Sequence, residues 1–158
     1  MRESSGARVS WNGRSVSFVS RCLVAVRLIS EWPMILGVGL DVVETERVAR
    51  ALAAHGPRFE ERVYTAAERA ECGQRADRAQ ALAARFAAKE AFLKALGTGW
   101  ARGLSLRQVE VVEKQGGRPA LKLAGAAAAH ARRKRVRKIH VTLSHQPGLA
   151  AAVAILEG

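Results

Sequence analysis

The amino-acid sequence predicts a single α+β domain in which a largely antiparallel sheet packs against one long helix. The 158 residues are 49% hydrophobic, which suits one core of ordinary size. The stretch 78–96, RAQALAARFAAKEAFLKAL, has no glycine or proline and is typical of a long helix. Strand-like segments joined by QGGRP and by QPG predict antiparallel hairpins. The order of strand, helices, hairpin, helix and hairpin therefore favours the α+β class.

The first predicted element is a short apolar run with two glycines, ILGVGLD at 35–41, which reads as a buried strand ending in a carboxylate. A helix over about 44–55 follows, and a Gly-Pro pair ends it because proline cannot continue a helix. Thr65 and Glu68 then have the T-x-x-E spacing of a capping box, which predicts the start of another short helix.

The long helix is predicted to begin at an Asp77 N-cap and to stop at Gly97. Its core stripe consists of the large apolar side chains Leu82, Phe86, Leu93 and Leu96. A glycine-rich loop, a hairpin and an alanine-rich helix over about 124–135 come next. The segments KIHVTLSH and LAAAVAIL then predict a final antiparallel pair of strands.

Residues 1–33 differ from the rest in being rich in serine and arginine and nearly free of acidic residues. We expect this segment to be a poorly ordered extension, upstream of a working start at Met34, with the functional domain covering 34–158. Its composition also fits an organellar transit peptide, so that alternative stays open.

The net charge of +12 predicts an anionic partner, which could be nucleic acid, an acidic protein or a small molecule rich in phosphate. The densest basic run, ARRKRVRKIH at 131–140, is also what a solvated helix end would look like. A nucleic-acid-binding protein is the main rival interpretation. The bases of single-stranded nucleic acid usually stack on several aromatic side chains, whereas only Trp100 lies near the basic loop of this sequence. We therefore expect no nucleic-acid partner.

No apolar stretch reaches the roughly 18 residues that span a bilayer, so we expect no membrane partner. The two cysteines, Cys22 and Cys72, provide neither a disulfide framework nor a C-x-x-C metal motif. A cytoplasmic location is therefore the expectation.

Three charged residues are the first candidates for chemistry. Glu90 and Lys94 share one face of the long helix, and Asp41 ends the first strand at the rim of the core. Two converging carboxylates repel each other unless a divalent cation joins them, and Mg²⁺ takes carboxylate oxygens together with substrate phosphates. Ala83 and Ala87, next to this face, are expected to leave room for a bulky ligand or another chain. The plain alternative is an ordinary ion pair on a solvated helix face.

A second set of candidates lies at turns. His145 ends VTLSH at a strand terminus, where its side chain could reach a phosphate, although surface histidines at turns are common. Neither Ser144 nor Cys72 has an acid and a base spaced around it as a nucleophile requires.

Five blocks of sequence together resemble the holo-acyl-carrier-protein synthase family of 4′-phosphopantetheinyl transferases. They are GVGLDVVETERV, YTAAE, RFAAKEAFLKALGTG, GRPAL and VTLSH, in the family's order and within 34–158. Any one block would be a weak signal, but five in order are specific. Tyr64 replaces the usual phenylalanine and Thr142 the usual serine, which leaves the chemistry intact.

The resemblance implies a domain of that family's fold and transfer of the phosphopantetheine arm of coenzyme A to a serine of an apo-acyl carrier protein. Adenosine 3′,5′-bisphosphate would be released. Asp41 and Glu90 would hold Mg²⁺ on the pyrophosphate, and Lys94 would contact the phosphates. The base that deprotonates the serine is open, and Glu90 acting through a metal-bound water is our choice.

The resemblance further implies that Arg85 and His145 help to bind coenzyme A. Gly117, Arg118 and Pro119 would lie near its adenosine 3′-phosphate. It also implies a homotrimer with three sites between neighbouring subunits. The carrier protein would dock on the first helix, where its acidic surface would meet Arg47 and Arg50. Neither the type of carrier, fatty-acid or polyketide, nor a preference for Mg²⁺ over Mn²⁺ follows from the sequence.

Overall fold

The computed structural model of the protein describes residues 9–11, 14–16, 33–99, 103–114 and 116–158. Contacts divide the chain into two units, 1–33 and 34–158. In the first unit, strands β1 (Val9–Trp11) and β2 (Arg14–Val16) pair in antiparallel fashion. Most of the predicted poorly ordered extension lies outside the described residues, so that expectation, like the alternative of a transit peptide, stays a prediction.

The second unit has the predicted elements in the predicted order, together with a short helix over 57–63 and a 3₁₀ turn that the sequence did not predict. In chain order they are β3 (Ile35–Glu44), α1 (Thr45–His55), α2 (Pro57–Val63), α3 (Ala66–Gly73), α4 (Arg78–Leu96), a 3₁₀ turn (Leu106–Gln108), β4 (Val109–Lys114), β5 (Arg118–Leu123), α5 (Gly125–Arg133), β6 (Lys138–Gln146) and β7 (Leu149–Glu157). Every described strand pair is antiparallel. The predicted α+β class is confirmed.

The main sheet has the strand order β3-β7-β6, with β7 in the middle. Every second residue of β7 is buried, which gives this strand one face toward the core. The register places Asp41 opposite Ala152 and His145 opposite Ala150. Because both partners lie near the start of β7, the sheet brings Asp41 and His145 to the same end.

Helix α4 packs on this sheet and is buried on most of its surface. Leu82, Leu93 and Leu96 are buried as predicted, whereas Phe86 is only partly buried. Ala83 and Ala87 have 0% of their surface exposed, so the expectation that they leave room for a ligand or another chain is wrong. Protein atoms of the core occupy that space, because small side chains let the helix lie close to the strands.

The ends of the helices agree with the sequence, apart from one side chain. Glu68 N–H donates to Thr65 Oγ1 at 3.3 Å and Thr65 N–H donates to Glu68 Oε2 at 2.9 Å, which is the predicted capping box. Gly97 ends α4 with a left-handed φ of 75°. Asp77 lies at the N-cap of α4, but its carboxylate accepts from Arg75 at 2.8 and 2.9 Å and makes no cap.

The two glycines of ILGVGLD face the backbone of α4. A Cβ at Gly39 would lie 2.0 Å from the Ala91 carbonyl oxygen, and one at Gly37 would lie 2.0 Å from that of Ala95. No side chain fits at such distances, so glycine is required for β3 and α4 to come this close.

Gly39→Ala is expected to destabilise the fold by about 1 to 3 kcal/mol or more, since the inserted methyl group meets helix backbone that cannot swing away. The free energy of unfolding from chemical denaturation measures this. Gly73→Ala is the matched control, because no atom lies within 4 Å of the added methyl group and alanine favours the helix. Equal stability of the two variants would contradict the close packing of β3 on α4.

Candidate active site

A buried ion pair sets the position of α4 relative to the neighbouring elements. Lys89 Nζ donates to Glu68 Oε2 at 2.6 Å and also to the carbonyl oxygens of Val63 at 2.8 Å and Leu106 at 3.2 Å. Burial lowers the pKa of Lys89, and the carboxylate of Glu68 opposes that shift. All three ammonium protons have acceptors, so the charge is tolerated inside the core.

The first cleft lies where β3 meets α4 and α1, with a volume of about 230 Å³. It is lined by Asp41, Val42, Val43, Arg47, Phe86 and Glu90. The two carboxylates that we predicted to converge therefore face the same space. Arg47 from α1 lies beside them, so one residue of the predicted docking helix borders this cleft.

Lys94 extends from α4 toward Asp41 on β3. The prediction that Asp41 ends this strand is wrong, because pairing with β7 continues to Glu44. Lys94 Nζ donates to Asp41 Oδ1 at 2.8 Å and to the Leu40 carbonyl oxygen at 3.1 Å. The Lys94 side chain is 53% exposed whereas the Asp41 side chain is 14% exposed. The cation thus offsets the negative charge of Asp41 and still has a face toward solvent.

The second cleft has a volume of about 250 Å³ and lies between α3, α4, the β4–β5 hairpin and β6. Four residues from the predicted set line it, namely Arg85, Gly117, Pro119 and His145. Arg118 is exposed at the start of β5 and does not line the cleft. Lys94, which was also predicted to contact coenzyme A, does not line this cleft and contacts Asp41 instead. The other four predicted coenzyme A residues are brought together here.

Three charged residues in the second cleft were missed in the sequence: Glu71, Arg75 and Glu113. Glu71 Oε1 accepts a hydrogen bond from Arg85 Nη2, and Arg85 Nη1 donates to the Ala81 carbonyl oxygen at 3.3 Å. The hairpin register could have identified Glu113, because it pairs directly with Pro119. Glu71 gave no local signal, since its contact with Arg85 joins two different helices.

The two clefts are separate within one copy of the chain. No described residue lines both. Arg85 and Glu90 lie about 140° apart around α4, given about 100° of rotation per residue. The helix therefore presents one candidate set on each of two faces.

The donor set of the first cleft fits a hard divalent cation only in part. Among the described residues, no group of three or more histidine, cysteine or acidic side chains is placed to hold a metal. Two carboxylates are nevertheless what Mg²⁺ requires from a protein when substrate phosphates and water complete its shell.

None of the described helices is long and apolar enough to cross a membrane.

Residues 37–154 match the profile of the 4′-phosphopantetheinyl transferase superfamily. The chain belongs to this superfamily. The holo-[acyl-carrier-protein] synthase of Anaeromyxobacter dehalogenans strain 2CP-1 is 55% identical over 129 residues, which cover 79% of this chain and 98% of that protein. The Methylobacterium radiotolerans protein of the same name is 47% identical over 133 residues, with coverages of 78% and 94%.

Solved structures agree with this assignment. Holo-[acyl-carrier-protein] synthase from Neisseria meningitidis has a TM-score of 0.74 and 30% identity, covering 79% of this chain and 100% of that one. The Bacillus anthracis enzyme in complex with CoA (3′,5′-ADP) has a TM-score of 0.66 and 31% identity, covering 79% and 98%. The resemblance seen in the sequence is confirmed, and the chain is a phosphopantetheinyl transferase of the holo-[acyl-carrier-protein] synthase class.

Proposed function

We propose that this enzyme transfers the 4′-phosphopantetheine arm of coenzyme A to a serine of an apo-acyl carrier protein, in a Mg²⁺-dependent reaction that releases adenosine 3′,5′-bisphosphate. The observation that carries the proposal is the pairing of Asp41 and Glu90 on one cleft with Lys94 at its edge. The coenzyme A complex of the Bacillus anthracis relative supports the same donor for this chain.

In the first cleft, Asp41 and Glu90 would hold Mg²⁺, which when bound neutralises charge on the pyrophosphate of coenzyme A. Lys94 would turn its exposed ammonium to the phosphates while Asp41 anchors it. The serine oxygen forms a bond to the phosphorus that carries pantetheine, and the bond from that phosphorus to the bridging oxygen breaks. The serine proton goes to a base, for which Glu90 is our assignment.

In the second cleft, Arg85 and His145 would bind coenzyme A. Gly117 and Pro119 would shape the floor near the adenosine 3′-phosphate, where the absence of a glycine side chain lets a phosphate approach the backbone. Arg118 would reach this phosphate from the rim, because it is exposed beside the cleft.

We also propose a homotrimer in which each active site combines the first cleft of one subunit with the second cleft of its neighbour. The large apolar side chains most exposed in the second unit lie on β3 or just before it, between 52% and 67% exposed, and are Met34, Ile35, Val38, Leu40 and Val42. Val38, Leu40 and Val42 share the sheet face opposite α4. An apolar face of this kind is typical of a subunit interface.

The acyl carrier protein would dock on α1. Arg47 borders the cleft of Asp41 and Glu90, and Arg50 lies one turn further along the same helix. Arg50 has one weak contact, with Glu46 at 3.8 Å, and both side chains are about two-thirds exposed. Arg50 is therefore available to an acidic partner surface. The cytoplasmic location stays a prediction.

The proposal is tested by incubating the protein with coenzyme A, Mg²⁺ and several apo-carrier proteins, with mass spectrometry to detect the added arm.

In the same assay, Asp41→Asn should lower turnover by about 10² to 10³, the usual cost of removing one electrostatic contributor. Stability should fall by no more than about 1 kcal/mol, because the lost ion pair with Lys94 is partly exposed. Glu157→Gln removes a carboxylate from another exposed pair, with His140, and should leave turnover unchanged. Absence of any mass shift with wild-type protein would overturn the proposed function.

Leu40→Asp is expected to dissociate the trimer and to abolish transfer, because a carboxylate would be buried in the apolar interface without a partner. Light scattering coupled to size exclusion gives the mass of the assembly. Ala67→Asp adds the same charge at an exposed position of α3 and should preserve both assembly and activity. A Leu40→Asp trimer with full activity would rule out this face as the interface.

Arg50→Glu should raise the KM for the carrier protein while the KM for coenzyme A stays the same, since charge reversal at a docking site removes attraction and slows association. Added salt should reduce the difference between variant and wild type. The control Arg133→Glu makes the same charge change on α5, where its side chain is exposed. If both variants affect the carrier equally, net charge and not α1 determines docking.

A further inference from the structure

The guanidinium of Arg85 has a protein partner inside the second cleft. Its Nη2 donates to the Glu71 carboxylate, its Nη1 donates to the Ala81 carbonyl oxygen, and the side chain is only 11% exposed. Glu71 is 46% exposed and lines the same cleft as Gly117 and His145. The arginine assigned to coenzyme A is therefore already hydrogen-bonded to a carboxylate.

The charges around this cleft are balanced although the chain carries a net charge of +12. Its lining contains Arg75 and Arg85 but also Glu71 and Glu113, so the formal charge is zero when His145 is neutral. Arg75 in turn makes two hydrogen bonds to Asp77. A phosphate that enters the cleft thus meets as many carboxylates as guanidinium groups.

A carboxylate and a phosphate compete for the same guanidinium, because both accept its planar pair of N–H donors. We propose, on the basis of the function proposed above, that Glu71 competes with the nucleotide for Arg85 and thereby weakens the binding of both substrate and product. It lowers the affinity of the cleft for every phosphate group. A small anion such as inorganic phosphate makes too few other contacts to displace it, whereas coenzyme A does so through its remaining contacts.

The competition has two consequences for the enzyme. Inorganic phosphate binds the cleft more weakly, and the adenosine 3′,5′-bisphosphate product is released more easily because Glu71 takes Arg85 back. Removal of the Glu71 charge should therefore tighten the binding of all these anions, in contrast to loss of an ordinary binding residue.

The test is a double-mutant cycle with Glu71→Gln, Arg85→Met and the double variant in the full chain. Calorimetry measures the Kd of coenzyme A and of adenosine 3′,5′-bisphosphate, and assays measure inhibition by inorganic phosphate. Glu71→Gln should tighten all three by about twofold to fivefold, the range that a partly exposed ion pair supplies. The KM for the carrier protein should not change. In the Arg85→Met background the gain from Glu71→Gln should vanish, because the competition acts through Arg85.

Glu61→Gln is the matched control, since Glu61 pairs with Arg69 at 3.5 Å and does not line the cleft. It should leave all three affinities unchanged. Weaker or unchanged coenzyme A binding in Glu71→Gln would overturn the proposal, and so would a gain that persists without Arg85 or that Glu61→Gln reproduces. If the wild-type protein transfers the arm and only the Glu71 effect is missing, this inference alone fails. If the wild-type protein binds no coenzyme A, the proposed function fails with it.

Discussion

The buried contact between Lys89 and Glu68 is the constraint on which both clefts depend. One carboxylate accepts from the Lys89 ammonium, from Thr65 N–H at 2.9 Å and from Val111 N–H at 2.9 Å, so it joins α3, α4 and β4. An isolated charge inside a core costs several kcal/mol. Any arrangement of the elements that separates Lys89 from Glu68 is therefore unfavourable. The pair therefore fixes the rotation of α4, and with it the directions of Arg85 and Glu90.

Small residues explain how one helix can serve two sites. Gly37 and Gly39 let β3 approach the backbone of α4, and the buried alanines of α4 add no bulk between helix and sheet. Close packing leaves little freedom for the helix to tilt, so the charged side chains at its edges have defined positions. The other face of β3 carries large apolar side chains that the second unit does not cover, as the interface of the proposed homotrimer requires.

Much of this arrangement could be predicted from the sequence, for physical reasons that also set its limits. Local signals such as the capping box at Thr65 and the stop at Gly97 were reliable, because each depends on neighbouring residues. The face with Ala83 and Ala87 was misjudged, since a helical period does not show whether a sheet or a ligand fills the space beside small residues. Glu71 was missed for a similar reason, because only the folded chain brings it to Arg85.

The positively charged side chains have several different roles, so the net charge of +12 does not by itself show how strongly the protein attracts an anion. Lys89 is enclosed in the core, and Lys134 donates to the Ala95 and Leu96 carbonyl oxygens at the end of α4. Such cations stabilise the fold or the site and are not available as a free positive field. In the second cleft the opposing charges are equal in number, so recognition there depends on the placement of individual donors.

The excess positive charge lies elsewhere, for example at Arg132 and Arg133, which are exposed at the end of α5. Exposed cations of this kind raise the rate at which anionic partners arrive without determining which one is bound. Affinity and arrival rate are therefore set by different residues of the same protein.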